Sequence, residues 1–232
     1  FTTLVLTADL TITPATITGI SLEDDTFVFD GTAKSLTITG TLPEGTSVSY
    51  TTNSRTDVGT QEVTATITGS NFTTLVLTAD LTITPAMITE ITFADGTFVF
   101  DGTAKSLAIT GTLPEGTSVE YSNNARTGVG TQEVTATITG DNFTDLVLTA
   151  YLTITPASVD GITFTDGTFV FDGTAKSLAI SGTLPAGTSV SYQNNSRTNV
   201  GTQEVIATIT GSNFTTLVLT ADLTITPAEV EA

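Results

Sequence analysis

Hydrophobic and polar residues alternate along most of this chain with a period of two. From Leu75 to Thr84, Leu75, Leu77, Ala79, Leu81 and Ile83 fall on one side, and Val76, Thr78, Asp80, Thr82 and Thr84 on the other. Alternation sustained this far predicts a strand with one buried face. Val63, Ala65 and Ile67, set against Thr64, Thr66 and Thr68, predict a second. Leu36 with Ile38 and Val48 with Tyr50 predict two more, Phe27 with Phe29 a shorter one, and Ile17 to Leu22 another. Turn signals punctuate these runs at Asp30-Gly31, Leu42-Pro43-Glu44-Gly45, Asn53 to Gly59 and Gly69-Ser70-Asn71. No stretch carries a helical period. Short strands at this spacing predict an all-β fold of sandwich type. Thr, at 56 of 232 residues, suits it: the β-branched Cβ favours extended backbone while the hydroxyl tolerates water.

The pattern also repeats at a longer period, which decides the architecture. The string F-T-T-L-V-L-T-A-D-L-T-I-T-P-A begins at Phe1 and recurs at Phe72 and Phe214, with the variant F-T-D-L-V-L-T-A-Y-L-T-I-T-P-A at Phe143, so the four starts lie 71 residues apart. Lys34, Lys105 and Lys176 keep this spacing, as do Arg55, Arg126 and Arg197, and Tyr50, Tyr121 and Tyr192. Every basic residue is therefore a repeat position. Proline ends a ladder by removing a donor, so the T-P-A steps at Pro14, Pro85, Pro156 and Pro227 predict boundaries. Domains are expected at 16–86, 87–157 and 158–228, with 229–232 as a tail. Residues 1–15 then read as the terminal strand of a preceding repeat, or as a strand donated to another copy of the chain. No Gly/Ser linker separates the units, so neighbours should abut in a stiff, quasi-one-dimensional rod.

Charge and composition remove whole classes of function. Lys and Arg number 6 against 24 Asp and Glu, a formal net charge of −18, and there is no His, Cys or Trp. The commonest metal ligands, general bases and thiol nucleophiles are missing. So strong an acidic balance repels nucleic acid and anionic membrane surfaces. No apolar run is long enough to span a bilayer. The absence of Cys leaves the compartment open.

With the repeat in hand, the motifs resemble a known class. F-V-F-D-G-T-A-K-S-L, G-T-L-P-E-G-T-S-V, R-T-x-V-G-T-Q-E-V-T-A-T-I-T-G and a closing L-T-I-T-P-A look like MBG-type bacterial surface repeats. The commoner form has Tyr before Asp-Gly-Thr and an aromatic after the later Gly-Thr, where this chain has Phe29, Phe100 and Phe171, and Gln61, Gln132 and Gln203. The resemblance covers essentially the whole chain. It implies Ig-like sandwiches in large secreted or wall-attached, adhesin-like bacterial proteins, where such modules serve as stalk. The expected role is that of an extracellular mechanical spacer rather than an enzyme, with neighbouring repeats as the first partners. A filament subunit using strand donation through 1–15, and a module binding glycan or host protein through turns such as Ser122–Arg126, stand as alternatives.

Several constellations compete with a purely structural reading. Each unit holds a Lys (Lys34, Lys105, Lys176), an Asn before Phe (Asn71, Asn142, Asn213) and a Glu (Glu62, Glu133, Glu204), the parts of an isopeptide crosslink. That chemistry needs all three buried together so that the amine is neutral. Glu62 shares the parity of Thr64 and Thr66, which predicts a solvent position and favours a Lys that snorkels or pairs with an acid. Asp24, Asp25, Asp30, Asp95, Asp101, Asp160, Asp166 and Asp172 lie in early turns near the junctions, where Ca²⁺ would stiffen a rod. No D-x-D-x-D-G loop is present and the acids shift between units, which favours a solvated acidic surface and no cofactor. For the same reason paired carboxylates make a weak glycosidase. Asn71, Asn142, Asn213 and Asn194 fit the N-x-S/T sequon. Tyr151 replaces the Asp of Asp80 and Asp222 and has no reading from sequence.

Overall fold

A computed structural model describes residues 1–229, so 230–232 of the expected tail lie outside the described residues. Among these, no helix occurs. The first strands are β1 (Asp25–Val28), β2 (Thr46–Thr51), β3 (Gly59–Gly69) and β4 (Leu75–Thr84), followed by the short β5 (Ala86–Met87). Next come β6 (Gly96–Val99), β7 (Ser118–Ser122), β8 (Gly130–Thr139), the short β9 (Phe143–Thr144) and β10 (Leu146–Thr155). The last are β11 (Gly167–Val170), β12 (Thr188–Gln193), β13 (Gly201–Gly211) and β14 (Phe214–Thr226). By contact the residues form two compact units. One comprises Phe1–Ile91, Gly111–Val119 and Thr137–Leu146, the other Thr92–Thr110, Glu120–Ala136 and Val147–Ala232.

One four-stranded sheet recurs in every repeat. Its order is β1-β4-β3-β2, then β6-β10-β8-β7, then β11-β14-β13-β12. In the first, β2 runs antiparallel to β3 and β3 to β4, while β1 lies parallel to β4 with Asp25 beside Leu81 and Val28 beside Thr84. The predicted faces hold. Val63, Ala65, Ile67, Leu81 and Ile83 are buried, as are Val205, Ala207, Ile209, Leu223 and Ile225 in the third repeat. Each fully buried Ile, Leu or Val contributes about 1.5–3 kcal/mol by leaving water. On the outer face cross-strand threonines pair through their hydroxyls, Thr60 with Thr82 and Thr202 with Thr224, each at 2.9 Å.

The opposing layer is less regular than its alternation predicts. Leu22 and Leu36 pack from it onto Val63, Ala65 and Leu81. Yet Leu36 to Ile38 and Ile17 to Leu22, expected as strands, form no ladder. They are tied by single bridges, Lys34 to Arg55 and Ser21 to Thr39. Side chains take over the backbone groups that a ladder would pair. The Asn53 carboxamide accepts from Leu36 N–H at 2.7 Å and donates to the Leu36 carbonyl at 2.8 Å, and the Tyr50 hydroxyl accepts from Ile38 N–H at 2.9 Å. Asn124 with Tyr121 and Asn195 with Tyr192 repeat the clasp. The result is an Ig-like sandwich of one full sheet and one clasped layer, present three times.

Candidate functional site

The most elaborated polar site on the chain lies where one repeat meets the next. Proline ends β4 after Thr84, and Pro85 is the only residue between β4 and β5. Ala86 re-pairs at once: its N–H donates to the Asn142 carbonyl at 3.0 Å, and it lies parallel to Phe143. Ala15 and Ala157 make the same bond to Asn71 and Asn213, at 2.9 and 3.1 Å. There is no slack in the connection.

Within the first compact unit, the Asn142 side chain reaches back to the preceding repeat. Its Oδ1 accepts from the Val58 backbone N–H at 2.8 Å and its Nδ2 donates to Asp57 Oδ1 at 3.0 Å. The neighbouring Phe143 ring stands edge-on to Phe29, with centroids 5.5 Å apart and planes at 76°. Within the second unit, Asn213 Oδ1 accepts from Val129 N–H at 2.9 Å, and Phe214 meets Phe100 at 5.5 Å and 78°. Where no repeat follows in this chain the same positions lie open, Phe171 at 40% and Val200 at 49% exposure. The Asn-Phe step thus caps an amide and stacks an aromatic pair, which together contribute a few kcal/mol per junction.

Beside each phenylalanine sits an Asp-Gly-Thr-x-Lys turn. Asp30 Oδ1 accepts from the Thr32 N–H and hydroxyl, and Oδ2 meets Lys34 Nζ at 2.6 Å. Asp101 with Lys105 and Asp172 with Lys176 repeat the pair at the same distance. The lysine ammonium first, and then the threonine hydroxyl and amide, hold each Asp carboxyl well below the usual carboxylate range. A cavity of about 440 Å³ opens at the first junction, lined by Phe29, Asp30, Gly31, Glu115 and Phe143. At the second, one of about 360 Å³ is lined by Phe100, Asp101, Gly102, Ala186 and Phe214.

The structure places the other sequence candidates in contacts of their own. The lysines face Asp rather than Asn, the Asn142 carboxamide is occupied by Val58 and Asp57, and Glu62 lies exposed on the outer face, so no isopeptide triad assembles. The turn acids are dispersed over separate donors. Asp24, Asp95 and Asp166 accept from the backbone of Asp80, Tyr151 and Asp222, Asp25 from Thr26 N–H, and Asp160 from the Ser158 hydroxyl. Among the described residues no three acids converge as a metal would require. In the Ser122–Arg126 turn, Asn124 is held by Leu107 and Arg126 donates to the Gly128 and Val129 carbonyls, while Ser122 and Asn123 lie exposed. Asn142 was visible in sequence as part of a recurring Asn-Phe step, but its role as a clamp was not. The bond it makes spans 84 residues.

The comparisons agree with this architecture. A family model described as MBG domain matches the chain at residues 15–87, 89–158 and 161–229. No curated protein sequence matches it. Similar solved structures include Sidekick-1 immunoglobulin domains 1-5, at 12% identity over 90% of this chain and 58% of that one, with a TM-score of 0.31. Titin domains I67-I69 match at 11% identity over 90% and 97%, TM-score 0.33. The N-terminal eight Ig domains of Down Syndrome Cell Adhesion Molecule match at 9% identity over 89% and 36%, TM-score 0.35. This chain therefore spans little more than half of the Sidekick-1 fragment and about a third of the last. Likeness at that level carries no functional argument. Among the described residues no helix is long and apolar enough to cross a membrane.

Proposed function

The chain belongs to the MBG domain family, and on that premise we propose that it is a load-bearing spacer in an extracellular, adhesin-like bacterial surface protein. One observation carries this reading: in each of the three repeats, entry and exit strands are parallel neighbours, β1 on β4, β6 on β10 and β11 on β14. Tension entering β1 at Asp25 and leaving β4 at Thr84 pulls the pair in opposite directions along its length. The four registered residue pairs are then loaded together in shear instead of being peeled one at a time. Beyond Thr84 the force passes through Pro85 straight to Ala86, already bonded to Asn142. A chain built for recognition alone has no need of that continuity.

Single-molecule stretching tests it. The chain lacks cysteine, so Cys substituted at Thr26 and Thr82, registered partners across β1 and β4, form the sole crosslink. The oxidised variant is expected to lose one unfolding event and to regain it on reduction. If the first repeat yields at the same force in both states, the ladder bears no load and the reading fails.

A second reading, filament assembly by strand donation, has one observation in its favour. Leu4, Leu6, Leu10 and Ile12 are 80–90% exposed, in a segment identical to Phe214–Ala228, whose Leu223 and Ile225 are buried. Sedimentation velocity separates the two readings: donation requires concentration-dependent oligomers that vanish when residues 1–14 are deleted.

A further inference from the structure

The two junction cavities have the same walls except at one position. Each holds an edge-to-face phenylalanine pair and an Asp-Gly turn, but Glu115 lines the first where Ala186 lines the second. The carboxylates of the first cavity are not equivalent. Asp30 is engaged by Lys34 and Thr32. Among the described residues the only ion pairs are those of Lys34, Lys105 and Lys176, so exposed Glu115 has no cationic partner.

We infer that the first junction cavity, formed by Phe29, Phe143 and Glu115, receives the lysine or arginine side chain of a partner polypeptide. An aromatic ring beside a carboxylate is the environment a cationic side chain seeks, the carboxylate by charge and the ring by its quadrupole. The chain already contains this arrangement: Lys34 Nζ lies 2.6 Å from Asp30 and 5.8 Å from the Phe27 ring centroid. A volume of about 440 Å³ falls in the range of roughly 300–1,000 Å³ typical of ligand clefts. The chain cannot fill the site from its own cations. Each Lys is paired with an Asp, and Arg55, Arg126 and Arg197 donate to carbonyls of their own turns. A net charge of −18 draws basic partners in and speeds their encounter. A neutral saccharide would also use the rings and could hydrogen-bond Glu115. It brings no charge to pair with that carboxylate, so the net charge favours the cationic side chain. This site stands whether or not the repeats bear load.

A blocked Gly-Ser-Arg-Ser-Gly peptide titrated into the full chain, followed by backbone amide shifts, tests the assignment. Shifts are expected at Gly31, Glu115 and Phe143, with Gly102, Ala186 and Phe214 unmoved. Glu115→Ala is expected to weaken binding roughly fivefold, the scale of one exposed ion pair beside a ring, without lowering the melting temperature. Ala186→Glu is expected to bring the second cavity into play. Equal shifts at both cavities, unchanged affinity in E115A, a silent second cavity in A186E, or the same shifts from a citrulline peptide or a neutral oligosaccharide would each overturn it.

Discussion

The first and second junctions are built from the same parts and satisfy their polar groups differently. At the first, the Asp57 carboxylate reaches across to the Asn142 amide. Gly128 holds that position at the second and has no side chain to offer Asn213. Inside the turn the balance reverses. Arg126 Nε donates to the Gly128 carbonyl at 2.9 Å, whereas Arg55 Nε is buried without a partner, as is Arg197 Nε beside Asn199. One repeat therefore favours the bond across the junction, the other the bond within its own loop. Near-identical modules can differ in how tightly they couple while their cores stay the same.

The largest effect should come from what the junctions share. Phe143→Ala and Phe214→Ala each remove one ring of an aromatic pair, and half-burial puts the loss at about 2 kcal/mol, below the 3–5 kcal/mol of a core phenylalanine. Denaturation of the full chain should show similar losses, and a several-fold difference would break the equivalence of the rings. Asn142→Ala and Asn213→Ala should then differ. Each strands a backbone N–H, Val58 or Val129, at about 1–2 kcal/mol, and the first loses the Asp57 bond as well, for roughly 0.5–1 kcal/mol more. Hydrogen exchange at Val58 and Val129 reads both, and equal acceleration would show that Asp57 contributes nothing.

Gly128→Asp sharpens the comparison in the other direction. A Cβ at Gly128 would meet Asn213 Oδ1 at 3.5 Å, an ordinary contact, so a carboxylate there is placed to accept from Asn213. The gain is expected to be about 0.5–1 kcal/mol, seen as slower exchange at Val129. Faster exchange would mean that the Arg126 bond to the Gly128 carbonyl was the more valuable of the two.

Much of this architecture was legible in the alternation of side chains. Parity alone put Val63, Ala65 and Ile67 inside and Glu62 outside, where they are found, because a one-residue slip would bury threonines and expose the core. Leu36 and Ile38 have the same parity signal yet form no ladder, since the pattern reports which way a side chain points and not what pairs its backbone. Asn53 and Tyr50 do that pairing from 17 and 12 residues away. The parallel placement of β1 on β4 and the reach of Asn142 to Val58 are contacts between distant segments, with no local period to announce them. The junction could be located from the T-P-A step, but its chemistry could not.

Tyr151, unreadable from sequence, gains an account from the register. In the first and third repeats Glu62 lies opposite Asp80 and Glu204 opposite Asp222, like charges on neighbouring strands. Like charges directly opposite destabilise a sheet, and a Tyr at this position in the second repeat removes one of them. Asp80→Tyr should therefore stabilise the first repeat by a few tenths of a kcal/mol, and more at low salt than at high salt. A loss of stability would leave Tyr151 without a structural reason.

Acid should separate the junctions least of all, because the Asp-Gly-Thr-x-Lys turn is the same in each repeat. A carboxyl held low in the folded chain stabilises folding whenever the unfolded chain would bind the proton first. The contribution of Asp30, Asp101 and Asp172 is thus fully present above the ordinary unfolded value of about 3.9 and is lost as pH falls from there through the lower folded value. Asp30→Asn should flatten that acid limb for the first repeat only, and Asp172→Asn for the third by the same amount. Following the Lys34 and Lys176 side-chain signals during acid titration checks this directly. If one pair breaks well before the other, the turns are not equivalent, and whatever lies beside them at the junction must be setting their strength.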